Sequence, residues 1–291
     1  MVKEDIIDIY INAGFNIKKV NNSHFLRKDF ILYSFPTLMD FKLDKILINK
    51  LKWKSIITNI KINSKIKNTN EYILNVTNYS IETFSSKTRN QIRKSLKECI
   101  FKRPSLNDLI EYGLKINQQT LERQKRKEEH LINYRFWPNY ISTFYNNPNV
   151  IVLGAYIEES MIGYIICYEI DTKYTILHPF FDKGYSSSNP MLGLIYTLVN
   201  LILEKENSIL LSYGIESFEA NSSLDRFKRS LQFVPIPATR VYIIHPLILF
   251  SLKILVFFII KFGSSRTKRK KKVQKIINLY QGYRIIKKTI R

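Results

Sequence analysis

Cysteine is scarce in this chain. Cys99 and Cys167 are the only two, and they sit in otherwise helical and strand patterns, which implies no disulfide framework. Histidine is nearly as rare. Four scattered imidazoles and two thiols show no metal-ligand spacing, so no metal is expected. No Ser-His-Asp or Cys-His arrangement can be composed from them. The first ten residues lack a long apolar stretch and carry Glu4, Asp5 and Asp8, which argues against a secretory signal and for a cytoplasmic protein. The Asn-x-Ser/Thr triplets at Asn75 and Asn221 are then chemically idle. Acidic residues are under-represented, 24 against 46 Lys and Arg, for a net charge of +22.

Aromatic content of 13% and hydrophobic content of 45% exclude a disordered chain, and 291 residues can bury a sizeable core. The charge is unevenly placed. Residues 261–291 carry twelve Lys and Arg and no Asp or Glu, over half the excess. An evenly basic surface would favour nucleic acid; a basic tail after an apolar run points to a lipid surface. The run 247–260 is about 21 Å long as a helix, short of the roughly 30 Å of a bilayer core, and Lys253 interrupts it. The expectation is an interfacial helix on an anionic membrane surface, extending through 247–291 with its basic cluster at 266–272.

From the N-terminus, 3–13 reads as a helix ended by Gly14. Apolar runs at 24–26 and 30–35 stop at Pro36, and 56–62 and 72–76 read as strands. Residues 1–82 therefore form a small α+β unit. Helices follow at 83–99 and 106–124, the second capped by Ser105, with a short strand at 100–103 between them. A third helix spans 136–145. The central stretch is richest. Residues 151–157 and 161–168 are β-branched and aromatic around the turn residues Glu158, Glu159 and Ser160, a hairpin signal. A strand at 174–181, an apolar helix after Ser186–Pro190, a buried strand at 208–213 ending in Gly214, a short helix carrying Phe227-Lys228 and a strand at 241–244 complete it.

This order resembles the GNAT acyltransferase core, and within it the Fem-type subgroup that includes the peptidoglycan aminoacyltransferases. The matching residues are Ser212-Tyr213-Gly214-Ile215, Asn221, Leu224, Phe227-Lys228 and Leu231-Gln232-Phe233. Gln232 stands where the family usually has Gly. The resemblance covers roughly 80–245 and implies an α/β fold: a GNAT-like mixed sheet flanked by helices, with a reduced second GNAT-like half at the N-terminus. It divides the chain into an N-terminal unit at 1–82, an acyltransferase core at 83–245, and an apolar helix with a basic tail at 246–291.

What the resemblance implies chemically is N-acyl transfer from a thioester or aminoacyl donor to an amine on a small or lipid-linked acceptor. Two neighbouring parallel strands, 174–181 and 208–213, would part where the donor sits. Lys228 would stabilise negative charge near the transferred group, as a surface-facing lysine on a basic helix. Glu216 and Glu219 are candidate bases. Arg89 and Arg93, four apart on one helical face, match a family Lys-x-Arg-x-x-x-Arg run and suit phosphate oxygens. Glu122 and Arg123 would shape the acceptor pocket. Ser188 and Asn189, at a helix N-terminus, would face a pyrophosphate, with Tyr213, Gly214 and Asn221 lining the site. The donor is an acyl-CoA such as acetyl-CoA, or alternatively aminoacyl-tRNA. The usual Gln/Arg-x-x-Gly-x-Gly/Ala phosphate loop is missing from 184–193, as it is in the Fem-type subgroup. Nucleic acid is a partner only if the donor is a tRNA. The competing readings are a nucleic-acid-binding module and a non-catalytic membrane-surface protein on the same scaffold.

Overall fold

The computed structural model describes residues 3–216, 222–262 and 271–289. In chain order the elements are α1 (Lys3–Asn12), β1 (Ile17–Val20), β2 (Ser23–Lys28), β3 (Ile31–Phe35), α2 (Lys45–Lys54), β4 (Ile57–Ile62) and β5 (Thr69–Val76). Then come α3 (Ser86–Glu98), β6 (Ile100–Lys102), α4 (Leu106–Gln124), α5 (Glu129–Ile132), α6 (Trp137–Tyr145), β7 (Val150–Ile157) and β8 (Ser160–Ile170). The remainder is β9 (Lys173–Ile176), β10 (Phe180–Phe181), α7 (Pro190–Leu203), β11 (Ile209–Ile215), α8 (Ser222–Ser230), β12 (Val234–Ile244), α9 (Pro246–Phe262) and α10 (Lys271–Thr289).

Two compact units share these elements. The first comprises Met1–Gly14, Tyr72–Gly214 and Ser223–Val234; the second, Phe15–Glu71, Ile215–Ser222 and Pro235–Arg291. The segments expected as an N-terminal unit and as a C-terminal tail thus contribute to one unit.

In the first unit the strands run β5-β11-β9-β8-β7-β6, with β10 also on β8. Glu158, left-handed at φ 53°, turns β7 back on β8, and the hairpin keeps register from Val150↔Tyr168 to Gly154↔Tyr164. Every residue of β8 from Met161 to Tyr168 is buried, as a strand covered on both faces must be. On one face α7 packs Leu194, Ile195, Leu198, Val199 and Ile202 against Leu153, Ile165 and Cys167. The other is closed by α4 and α6. A side-chain capping box between Ser105 and Asp108 starts α4. Gly113 leaves space for Trp137, whose ring would lie 3.1 Å from an added Cβ, and the Trp137 indole donates to the Leu109 carbonyl at 2.9 Å.

The strand expected over 174–181 is broken. β9 ends at Ile176, His178 and Pro179 bulge out, and β10 rejoins β8 at Phe180↔Tyr164. Proline has no N–H to give the ladder. His178 turns inward instead and is buried against the Tyr140 hydroxyl.

The second unit is built on β1-β2-β3-β4-β12. β1, β2 and β3 form an antiparallel meander; α2, N-capped by Asp44 on the Leu47 N–H at 2.6 Å, crosses over to β4, which runs parallel to β3. β12 closes the sheet antiparallel to β4 through six pairs, Thr239↔Ile62 to Ile244↔Ile57. Phe25, Leu32, Leu47, Leu51, Ile60, Val241 and Ile243 form its core with Ile285 and Ile286 of α10. The stretch read from sequence as a basic tail thus includes a packed helix. A smaller cluster joins Tyr242 and Ile244 to Leu252 and Val256 of α9 and Ile276, Leu279, Tyr280 and Tyr283 of α10.

Candidate functional site

Within the first unit β9 and β11 are parallel, and their pairing is brief: Leu210↔Lys173, Leu211↔Tyr174 and Ser212↔Thr175. Beyond Ser212 the two chains part. The β9 chain stays with β8, the Leu177 N–H bonding the Ile166 carbonyl at 2.8 Å, while β11 runs on through Tyr213 and Gly214. Gly214 takes φ +94°, and nothing lies within 4 Å of where a Cβ would stand. A left-handed backbone beside open space is a place where only glycine avoids strain.

Below this strand end lies α8. Lys228 is 3% exposed, so the expectation of a surface-facing lysine is corrected: the helix turns its basic residues to different sides, and this one points inward. The ammonium sits 4.3 Å from the ring centre of Tyr72 on β5 and 5.0 Å from that of Tyr213 on β11. Two aromatic faces compensate part of the cost of taking the charge out of water. Phe227 and Phe233 pack edge-on to Tyr213, with centroids 6.4 and 5.4 Å away. Burial raises the Tyr213 phenol above its ordinary value, so it stands as a neutral hydroxyl at physiological pH.

Gln232 takes the left-handed position that ends α8, at φ 65°. The Phe233 N–H reaches back to the Lys228 carbonyl at 3.1 Å and the Gln232 N–H to the Arg229 carbonyl at 2.9 Å, the two bonds of a Schellman cap. The turn that glycine would favour therefore forms with glutamine. Its side-chain amide is held by Thr83, 2.8 Å from Oγ1 and 3.2 Å from the carbonyl, and Tyr79 donates to the Leu231 carbonyl at 2.8 Å.

Arg89 and Arg93 do share a face of α3. Glu82 spans them, one carboxylate oxygen 3.0 Å from Arg89 and the other 2.9 Å from Arg93, so a single exposed anion already bridges both guanidinium groups. Glu122 and Arg123 lie exposed at the end of α4. The Arg123 guanidinium stacks 5.0 Å from the Phe181 ring on β10, which puts it on the β10 side of the parted strands while Tyr213 and Lys228 stand on the β11 side. Ser188 is buried and Asn189 is left-handed ahead of α7. The first turn of that helix is covered: Ser95 of α3 donates to the Asn189 carbonyl at 3.0 Å, and a Cβ on Gly193 would lie 2.2 Å from the Phe101 ring. Glu216 belongs to the second unit, where Asn70 donates to its carboxylate at 2.8 Å and the Asn70 carbonyl accepts from its N–H at 2.7 Å. Asn221 and Glu219 lie outside the described residues.

Tyr72 and Glu82 are the residues that sequence reasoning missed. Tyr72 is one aromatic among many in a strand, and nothing local ties it to a lysine 156 positions later. Glu82 had a weak signal, an acid seven residues before Arg89 at the start of a basic helix.

No protein-family model and no curated protein sequence matches the chain. Solved structures do. FemX superposes with a TM-score of 0.57 at 9% identity, over 85% of this chain and 92% of that one. The DUF2156 C-terminal domain of an Agrobacterium fabrum protein described as a lysylphosphatidylglycerol synthetase gives 0.56 at 11% identity, over 90% and 97%. L-PGS from Bacillus licheniformis gives 0.52 at 14%, over 92% and 97%. The fold is Fem-type and GNAT-like. In this Fem-type fold, the parted β9–β11 pair and the Phe227-Lys228 helix occupy the order of elements on which the resemblance in sequence rested. The likeness is one of architecture, at identities where chemistry does not follow from fold.

Proposed function

We propose that the chain is an N-acyltransferase that moves an aminoacyl or acyl group from an activated donor to an amine. The observation that carries this reading is the strand end at Tyr213-Gly214, open beside the parted β9 and β11 and underlain by the buried Lys228 ammonium. The amine nitrogen bonds to the donor carbonyl carbon, the carbon–oxygen or carbon–sulfur bond of the donor breaks, and the proton lost by the amine ends on the leaving group. Negative charge gathers on the carbonyl oxygen in between. A fixed cation in a low-dielectric site stabilises such charge far better than one in water, which is the role assigned to Lys228. Tyr213, as a neutral phenol, is a hydrogen-bond donor beside it.

Aminoacyl-tRNA is the donor this site favours over an acyl-CoA such as acetyl-CoA. The start of α7, which a pyrophosphate would need open, is covered by α3 and Phe101, and the glycine-rich phosphate loop is missing from 184–193. Arg89 and Arg93 are proposed as phosphate contacts that exchange Glu82 for the donor, and Arg123 with Glu122 as part of the acceptor side. The acceptor is a small or lipid-linked amine, and the setting is the cytoplasm, where such donors are made. The test is transfer of a labelled group from aminoacyl-tRNA pools and from acyl-CoAs to a panel of amines by the purified chain. Transfer from aminoacyl-tRNA is expected; transfer from neither donor class overturns the reading. Replacing Arg89 and Arg93 together by Gln should weaken donor binding while the melting temperature changes little, since ion pairs this exposed contribute only about 0–1 kcal/mol.

A further inference from the structure

Helix α9 has an apolar face it does not bury. Leu252, Val256 and Ile259 point inward, the first two into the cluster with Tyr242 and Ile244. The other side is apolar too: Leu247, Ile248, Phe250, Ile254, Leu255, Phe257, Phe258, Ile260 and Phe262 are 40–73% exposed. A helix packed on a soluble domain normally turns polar residues outward. Here the outward charges are lysines alone, Lys253 and Lys261, and α9 contains no Asp or Glu. The Lys261 ammonium lies 5.3 and 5.4 Å from the Phe257 and Phe262 rings. At the other end of α9, Trp53 of α2 is 70% exposed and stands edge-on to His245, the residue before the helix, at 5.1 Å. Lys50 and Lys54 flank it on the same hollow as Ile46.

We infer that this surface of the second unit, the outer side of α9 with Trp53 beside it, rests on an anionic lipid surface. Among the described residues no helix is long and apolar enough to cross a membrane, so α9 lies in the plane of the interface, phenyl groups among the acyl chains and lysines at the headgroups. Tryptophan at an edge suits the same boundary, one side apolar and the other wet. Charge complementarity selects lipid over a second copy of the chain. Two α9 faces brought together would oppose lysine to lysine with no acid on the helix to answer them. A phosphate-bearing headgroup answers both. The inference is independent of the transfer reading, because neither donor nor acceptor enters its test.

The experiment is co-sedimentation of the full chain with vesicles of phosphatidylcholine alone and of phosphatidylcholine mixed with phosphatidylglycerol. The chain should pellet with the anionic vesicles at low salt and be partly released as salt rises, since screening shortens to about 10 Å at 0.1 M. Phe250→Ser with Phe258→Ser should weaken partitioning by at least about tenfold. If that variant melts early, Lys253→Gln with Lys261→Gln, both at exposed positions, decides instead and should weaken binding to the anionic vesicles by several fold. Wild-type chain left in the supernatant with anionic vesicles at low salt overturns the inference. So does a dimer in sedimentation equilibrium that the phenylalanine changes split while vesicle binding is unaffected.

Discussion

Gln232 shows how a single position can depart from a motif and keep its geometry. A non-glycine residue at φ 65° costs about 1–2 kcal/mol, and the two hydrogen bonds to Thr83 offset a similar amount. Gln232→Gly should therefore leave the melting temperature nearly unchanged. Gln232→Val should lower stability by about 2–3 kcal/mol, since a β-branched side chain is disfavoured there and makes neither bond. Equal stability of the two variants in urea titration would show that the cap does not depend on this residue. The same scale explains what the sequence concealed about Lys228. Its motif position was legible, but its burial was not, because that depends on Tyr72 and Tyr213 arriving from two different strands.

Among the elements, those with strong local signals were readable. α4 begins at Ser105 with Asp108 three residues on, and the β7–β8 hairpin declares itself by alternation around Glu158. α2 and α10 were not. In α10 the apolar residues Ile276, Leu279, Tyr280 and Tyr283 stand between two basic ends, Lys271, Lys272 and Lys275 before them and Arg284, Lys287 and Lys288 after, so the charge masked a helical period. Gly282 gives a second reason the helix matters: a Cβ there would lie 2.5 Å from the Tyr242 ring and 3.0 Å from the Arg240 carbonyl. The ring can shift but the carbonyl belongs to β12. Gly282→Ala should cost about 1–3 kcal/mol, read as an earlier melt. A melt as late as wild type would mean that α10 does not need this close approach.

At the scale of the whole molecule, the resemblance to Fem-type proteins named the fold, because it rests on an ordered series of elements rather than on any one motif. What it left obscure is which segments share a unit, since Phe15–Glu71 and Pro235–Arg291 meet only in three dimensions. The interior is rich in phenols. Burial holds Tyr10, Tyr79, Tyr140, Tyr164 and Tyr168 above the ordinary value of 10.0. A group with a raised folded pKa contributes stability that is complete below its unfolded pKa and disappears as pH climbs toward the folded one. The melting temperature should thus be insensitive to these groups below pH about 10 and fall steeply above it. A flat profile well above that point would mean the phenols reach solvent.

The central claim is that the buried Lys228 ammonium serves transfer and not merely packing. Truncation to alanine would confuse the two, because the Lys228 side chain is buried and a cavity would form in its place. Lys228→Met keeps most of the volume and removes the charge. With aminoacyl-tRNA as donor and a saturating amine acceptor, the most direct measurement is kcat and KM of wild type and Lys228→Met beside their melting temperatures. The account predicts a fall in kcat of about 100-fold or more with KM for the donor little changed and a melt within a few degrees of wild type. An undiminished kcat in the folded variant would contradict it.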